Sequence, residues 1–302
     1  MRVIFIILVF ISFHSYCKSR LTPVDYILYN KVLTANATLH HDGYGYNLTA
    51  KNIVKLVTLD WPPYIDENLC NKGWLYQLTV KLLLQQGYGV HIEFYPWARA
   101  VREAELGKAD ILFPEYYVAD DVLSDNLINK TRNQLLALSA PLPGGELSFV
   151  TLKGTKISYD GTIASVKNQL IGVVRGYKNT EQLDQLIEAG EINTIVANNE
   201  YQLIHLLLSK RVSLIVADLE VLKASVHKSV LSNTEKQSMI AALVALQPSL
   251  EYKHLYYQVS KANPEWQAIL TAINSEIKNI TASGELANFI TEKTQQCYKN
   301  TE

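Results

Sequence analysis

The chain has 302 residues, 48% of them apolar, and its 28 basic against 29 acidic side chains leave a formal net charge of −1. Such a chain buries one large or two moderate cores. It carries no basic stripe with interleaved aromatics, which argues against nucleic acid and anionic membrane as partners.

Met1-Arg2 supplies a short positive start, and Val3 to Phe13 is an apolar run too short to span a bilayer comfortably. This is the form of a secretory signal peptide, residues 1–17. Ser15 and Cys17 are small residues two apart, so cleavage falls near Cys17, and Tyr16 is too bulky to precede a lipoprotein cysteine. A retained membrane anchor is the alternative. Residues 18–52 are tyrosine-rich and weakly periodic and read as an amino-terminal extension. His40-His41-Asp42 within it lacks the ligand spacing of a zinc site and reads as a solvated loop.

Ile53 to Leu59 is the first clear strand, and Asp60-Trp61-Pro62-Pro63-Tyr64 forms a stiff aromatic loop at its end. Leu75, Leu78 and Leu82 share one face of a helix that stops at Gly87, and Val90 to Phe94 returns as a strand. Trp97, Val101 and Ala104 then follow helical spacing, Gly107-Lys108 breaks it, and Ala109 to Phe113 reads as a buried strand. The same unit recurs later: Tyr201, Ile204 and Leu208 lead through Ser209-Lys210-Arg211 into Val212 to Asp218. Alternating strands and helices imply doubly wound, mainly parallel sheets, with ligands beyond the carboxyl ends of the strands.

Pro141-Leu142-Pro143-Gly144-Gly145 is the best internal boundary, and Leu170–Val174, Ile192–Ala197 and Val212–Ala217 supply a second set of strands. Asn263-Pro264-Glu265 starts a helix with Trp266, Leu270, Ile273 and Ile277 on one face, which must pack on something already built. The expected division is a first lobe over 53–143, a second over 144–250, and a return to the first lobe with carboxyl-terminal helices over 251–302. The two hinge crossings are then Pro141–Gly145 and Leu246–Glu251. Export leaves two cysteines, Cys70 and Cys297, and this chain path brings them to one body as a disulfide.

Several segments in order resemble bacterial extracellular solute-binding proteins of family 3, the type II periplasmic binding proteins of amino-acid ABC transporters. They are Trp61-Pro62-Pro63-Tyr64, Gly107-Lys108-Ala109-Asp110, Arg132 seven residues before Ser139-Ala140-Pro141, Gly172 to Gly176, Val212 to Asp218, and Val259 to Glu265. The interval from Asp110 to Arg132 is longer than the family's, and the family's threonine three positions before the arginine is Asn129. The resemblance implies an α/β, two-lobed type II periplasmic-binding-protein-like fold with two hinge crossings. It further implies a periplasmic monomer that captures a small polar, amino-acid-like solute between its lobes and delivers it to an ABC permease in the inner membrane.

A zwitterionic solute needs a cation and an anion facing it, because an unpaired buried charge is costly. Arg132 offers a planar fork for a carboxylate, and Asp218, at a strand end, receives an ammonium. Trp61, Tyr64, Trp97, Tyr116 and Tyr117 are candidate walls, suited to an apolar or cationic side chain. The amides of Gly176, Tyr177 and their neighbours, with the Thr180 hydroxyl and Arg99, are further anion contacts. Each has a structural alternative: Arg132 in an ion pair with Asp120, Asp121 or Asp125, Asp218 and Thr180 as helix caps, Trp97 in the core, Arg99 as a solvated side chain. The sequence offers no serine elbow, His-Glu-x-x-His or phosphate-cradling loop, so neither a catalytic residue, a metal nor a cofactor is expected. The alternatives are a ligand-presenting sensor for a receptor, or a periplasmic enzyme on the same fold such as a dehydratase.

Overall fold

The computed structural model describes residues 22–40 and 42–298. The signal segment 1–17, the cut near Cys17, His41 and the Cys297 side chain lie outside the described residues.

The chain opens with a hairpin of β1 (Val24–Leu28) and β2 (Lys31–Ala35), followed by β3 (Thr38–His40) and β4 (Gly43–Tyr46). β5 (Ile53–Thr58), α1 (Trp74–Gln85), β6 (Gly89–Phe94), α2 (Trp97–Glu105) and β7 (Ile111–Glu115) then build a parallel β5-β6-β7 core. The stretch read as a weakly periodic extension is thus part of lobe one. β4 pairs antiparallel with β6, at the edge farthest from the second lobe, and the buried Tyr46 hydroxyl donates to the Thr22 carbonyl at 2.9 Å. Its strands escape a periodicity search because they are short and bury few side chains, chiefly Val24 and Tyr46, while β2 and β3 are largely exposed.

α3 (Arg132–Leu135) and β8 (Leu136–Leu138) lead into the long strand β9 (Leu142–Leu152). The second lobe follows as β10 (Ile171–Val174), α4 (Glu181–Glu188), β11 (Thr194–Ala197), α5 (Glu200–Leu208), β12 (Leu214–Asp218), α6 (Leu219–Lys228), α7 (Asn233–Ala242) and β13 (Leu243–Ala245). Strand alternation explains why both of its faces are covered. Leu214 and Val216 point into one apolar cluster with Phe149 and Leu183, while Ile215 and Ala217 point into another with Leu203 and Leu222. α2 obeys the helical counterpart, burying Trp97, Ala100, Val101 and Ala104 at i, i+3, i+4 and i+7.

β14 (Glu251–Ser260) returns the chain to lobe one, where α8 (Trp266–Ala282) buries Ile269, Ile273 and Ile277 and α9 (Glu285–Tyr298) packs beside α1. Each fully buried isoleucine contributes about 2 kcal/mol relative to exposure. Polar contacts tie the same helices down, including Gln86 to Glu276 at 3.0 Å and the Ala140 amide to Asn274 at 2.7 Å.

Both lobes share one sheet. β9 runs antiparallel to β14 with Leu147 opposite Glu251, Gly145 opposite Lys253 and Leu142 opposite Leu255, while β12 continues from β9 and β7 from β14. The return crossing falls later than the expected Leu246–Glu251, because the Leu246 and Leu250 amides still donate to Phe149 and Leu147 of the second lobe, each at 2.8 Å. The first unit's strand is also displaced, running to Glu115 rather than Phe113. Asp110 lies at its start, accepting from the Lys55 amide and from Asn263, both at 2.7 Å, so the strand's terminal polar group is Glu115.

The crossing strands approach so closely that a Cβ at Gly144 would lie 1.9 Å from the Lys253 carbonyl oxygen. Gly144→Ala is therefore expected to force the pair apart and to cost about 1–3 kcal/mol, a fall in Tm of several degrees by calorimetry. An unchanged Tm would contradict this packing.

Candidate functional site

The turn after β5 is clamped from both ends, since the Trp61 amide donates to the Ile65 carbonyl at 2.6 Å and the Ile65 amide returns a bond to Trp61 at 3.1 Å. That turn holds the Trp61 and Tyr64 rings 4.9 Å apart at the carboxyl ends of the strands. Tyr116, just past β7, lies 5.4 Å from Trp61, and Tyr177, in the loop after β10 of the second lobe, lies 6.2 Å from Trp61 and 6.3 Å from Trp97. Rings from the two lobes thus meet in one aromatic cluster. The space left is small: a cavity of about 20 Å³ bordered by Trp61, Trp97, Glu115 and Tyr177, and one of about 10 Å³ bordered by Tyr116, Glu200 and Asp218. Each has room for about one water, so a solute enters only if the lobes part.

Three buried carboxylates line these cavities. Asp218 does two things: one oxygen caps α6 by accepting from the Glu220 amide at 2.8 Å, and the other accepts from the Tyr64 hydroxyl across the cleft at 2.9 Å. Gly145 lies beneath that bond, and a Cβ there would meet the Asp218 oxygen at 2.0 Å. Glu200, at the first turn of α5, accepts from the Tyr177 hydroxyl at 2.8 Å, with the Trp61 side chain as a further hydrogen-bonding neighbour. Glu115 accepts from the Tyr116 amide at 2.9 Å and pairs with Arg132. Burial raises the carboxyl pKa of Asp218 and Glu200, each against an opposing hydroxyl hydrogen bond from tyrosine. It pushes Glu115 up to about 7 despite the nearby Arg132 charge.

The residues expected to hold an anion are used elsewhere. Arg132 is completely buried within lobe one, its Nε 3.1 Å from Glu105 and its Nη1 3.1 Å from Glu115, with Asp125 at 3.9 Å. A capping box of Thr131 and Gln134 fixes it at the start of α3. Its ion pairing is therefore internal, and its main partners are two glutamates rather than the aspartates of the inserted loop. Breaking such a buried pair by removing one member costs about 3–5 kcal/mol. Arg99 is exposed and stacks 3.8 Å over Tyr95, away from the cavities. Thr180 caps α4 by accepting from the Leu183 amide at 3.2 Å. Gly176, with φ of 78°, faces α2 of lobe one, where a Cβ on it would lie 3.6 Å from Trp97 and Ala98.

Trp61, Tyr64, Tyr116, Tyr177 and Asp218 therefore converge, joined by Glu115 and Glu200, which sequence reading did not select. Glu115 had a signal: it ends the first repeated unit's strand as Asp218 ends the second's. Glu200 had none, being one helix-start glutamate among several. Lys228, at the end of α6, adds a further contact between the lobes, reaching Asp60 at 2.8 Å and Asp66 at 2.6 Å.

The architecture is that of the type II periplasmic binding proteins: two α/β lobes, a two-strand crossing, and a cleft at the strand ends. Neither a family model nor a curated protein matches the sequence. Among solved structures, similar folds include a histidine kinase sensor domain with similarity to periplasmic binding proteins, at TM-score 0.62 and 13% identity over 81% of this chain and 96% of that one. A mutant of ArgBP from T. maritima matches at TM-score 0.60 and 18% identity over 80% and 95%. An arginine third transport system periplasmic binding protein from Legionella pneumophila matches at 0.58 and 14% over 80% and 100%. Among the described residues no helix is long and apolar enough to cross a membrane.

Because burial raises Glu115 from 4.5 to about 7, the folded chain holds a proton there that the unfolded chain releases. The associated stability is complete below pH 4.5 and is lost as pH rises through about 7. The urea midpoint is expected to fall across that window, and Glu115→Gln to flatten the fall, with Asp218 and Glu200 supplying the remaining slope. An identical pH profile in the variant would contradict the assignment.

Proposed function

We propose that this protein is a solute-binding protein that encloses a small cationic solute, an amino acid or a related compound, between its lobes. The observation that carries the reading is the meeting of Trp61, Tyr64, Tyr116 and Tyr177 with Asp218 and Glu200 at the strand ends. Aromatic faces and carboxylates together recognise a positive charge, each desolvated cation–π contact adding up to about 2 kcal/mol. Arginine-binding proteins among the similar folds support a solute of this kind.

The reading is of binding rather than catalysis, in keeping with those similar folds. It includes export by the 1–17 signal segment to the periplasm, a monomeric mature chain, and delivery of the solute to an ABC permease. The histidine kinase sensor domain among the similar folds favours one second reading, presentation of the solute to a receptor. Stimulation of a cognate importer's ATPase by the loaded protein supports transport, and stimulation of a receptor kinase instead supports sensing.

A thermal-shift screen of amino acids, polyamines and organic acids should find a stabilising solute, at about 2.7 kcal/mol when present at a hundredfold its Kd. Asp218→Asn and Trp61→Ala should each weaken that solute about tenfold or more by calorimetry. Wild-type affinity in both variants would remove the cleft from consideration.

Pairing of Cys70 with Cys297 belongs to the same proposal, supported by the neighbouring Asn71 donating to the Lys293 carbonyl at 2.7 Å and reaching Gln296 at 3.3 Å. Non-reducing peptide mapping of exported protein should recover one bridged peptide. Two free thiols would rule the bridge out.

A further inference from the structure

A carboxylate on the solute would need a cation or free amides inside the cleft, and apart from Lys178, which borders the first cavity, the side chains expected to serve are engaged elsewhere. Arg132 has no exposed surface: Glu105 and Glu115 take its Nε and Nη1, and its Nη2, which makes no hydrogen bond, lies 3.9 Å from Asp125 inside lobe one. In the loop before α4, the Tyr177 amide donates to the Val174 carbonyl at 3.2 Å and the Asn179 amide to Asp184 at 2.9 Å. The Thr180 hydroxyl caps its own helix, and Arg99 lies outside on Tyr95.

The charges bordering the two small cavities are Glu115, Glu200, Asp218 and a single ammonium, Lys178, whose Nζ is 3.9 Å from Glu188. A separate groove of about 600 Å³ lies between the loop after β7 and α4, sharing Lys178 with the first cavity and Asn179 with the second. Asp121, Asp125, Glu181, Asp184, Glu188 and Glu251 line that groove against Lys178 and Lys253, and Lys253 itself pairs with Glu251 at 3.2 Å. The two cavities and the neighbouring groove together therefore carry an excess of negative charge.

We propose that the cleft selects an organic amine or guanidine that carries no carboxylate. The inference rests on the cleft being the solute site, and it narrows the solute class within that reading. A cation entering here gains Asp218, Glu200 and the ring faces, whereas a carboxylate beside the same groups is a buried charge without a partner. The two halves of a zwitterion are thus treated oppositely by one wall.

The test is calorimetry on the mature full chain with matched pairs that differ only in the carboxylate: agmatine against L-arginine, and cadaverine against L-lysine. The expected result is binding of at least one amine, with its carboxylated counterpart at least about thirtyfold weaker, and loss of amine affinity in Asp218→Asn. An amino acid binding as tightly as its amine, with that binding still lost in Asp218→Asn, overturns the selectivity and leaves the cleft standing as a solute site. An amine bound with undiminished affinity by both Asp218→Asn and Trp61→Ala overturns the cleft reading, and this inference with it.

Discussion

The β9–β14 ladder is the constraint on which the rest of the molecule depends. Two lobes joined by loops alone would have no fixed relation, whereas here a paired strand from each direction carries backbone hydrogen bonds through the crossing. The ladder sets the β9 backbone at Gly145 directly beneath Asp218 and Tyr64, so the floor of the cleft and the crossing are the same piece of chain. A side chain at Gly144 would have to push the Lys253 backbone aside, and one at Gly145 would displace the Asp218 and Tyr64 side chains. The glycines of the Pro141–Gly145 punctuation therefore serve strand contact as much as chain direction.

On that floor the electrostatics are arranged in layers. Arg132 and Glu105 lie deepest, Glu115 lies above them at the end of β7, and Asp218 and Glu200 face across from the second lobe. A buried arginine held by two glutamates contributes little net stability over an apolar substitute, but removing one partner leaves an uncompensated charge. Arg132 therefore acts as the foundation of Glu115. The hydroxyls of Tyr64 and Tyr177 perform the matching service for Asp218 and Glu200, donating to carboxylates that burial otherwise drives toward protonation.

Much of this was legible in the residue order. The repeated helix–turn–strand unit, the stiff Trp61–Tyr64 loop and the return helix after Asn263 each rest on periodicity or backbone restriction, and these act locally. Asp218 was legible both as a cap and as a cleft residue, and it is both at once, because its two oxygens point to different partners. Arg132 was legible as a fork, free for a solute or paired with an aspartate of the inserted loop, and Asp125 is met at 3.9 Å, but its two glutamate partners were not legible. Its partners Glu105 and Glu115 lie on separate elements, and the spacing of three residues along a chain does not report which of them meet.

The sequence by itself determined the alternation of strands and helices, the aromatic character of the first strand's end and the division into two α/β bodies. Hydrophobic period and turn chemistry are properties of neighbouring residues. Tertiary structure alone decided that β3 and β4 extend the lobe-one sheet while β1 and β2 pair as a hairpin of their own, and that Glu115 and Glu200 face Asp218. It also decided that the chain's best candidate for holding a carboxylate is consumed internally. Those outcomes depend on which charges are brought together when water is removed, and burial sets the cost of each unpaired charge only after the chain has folded.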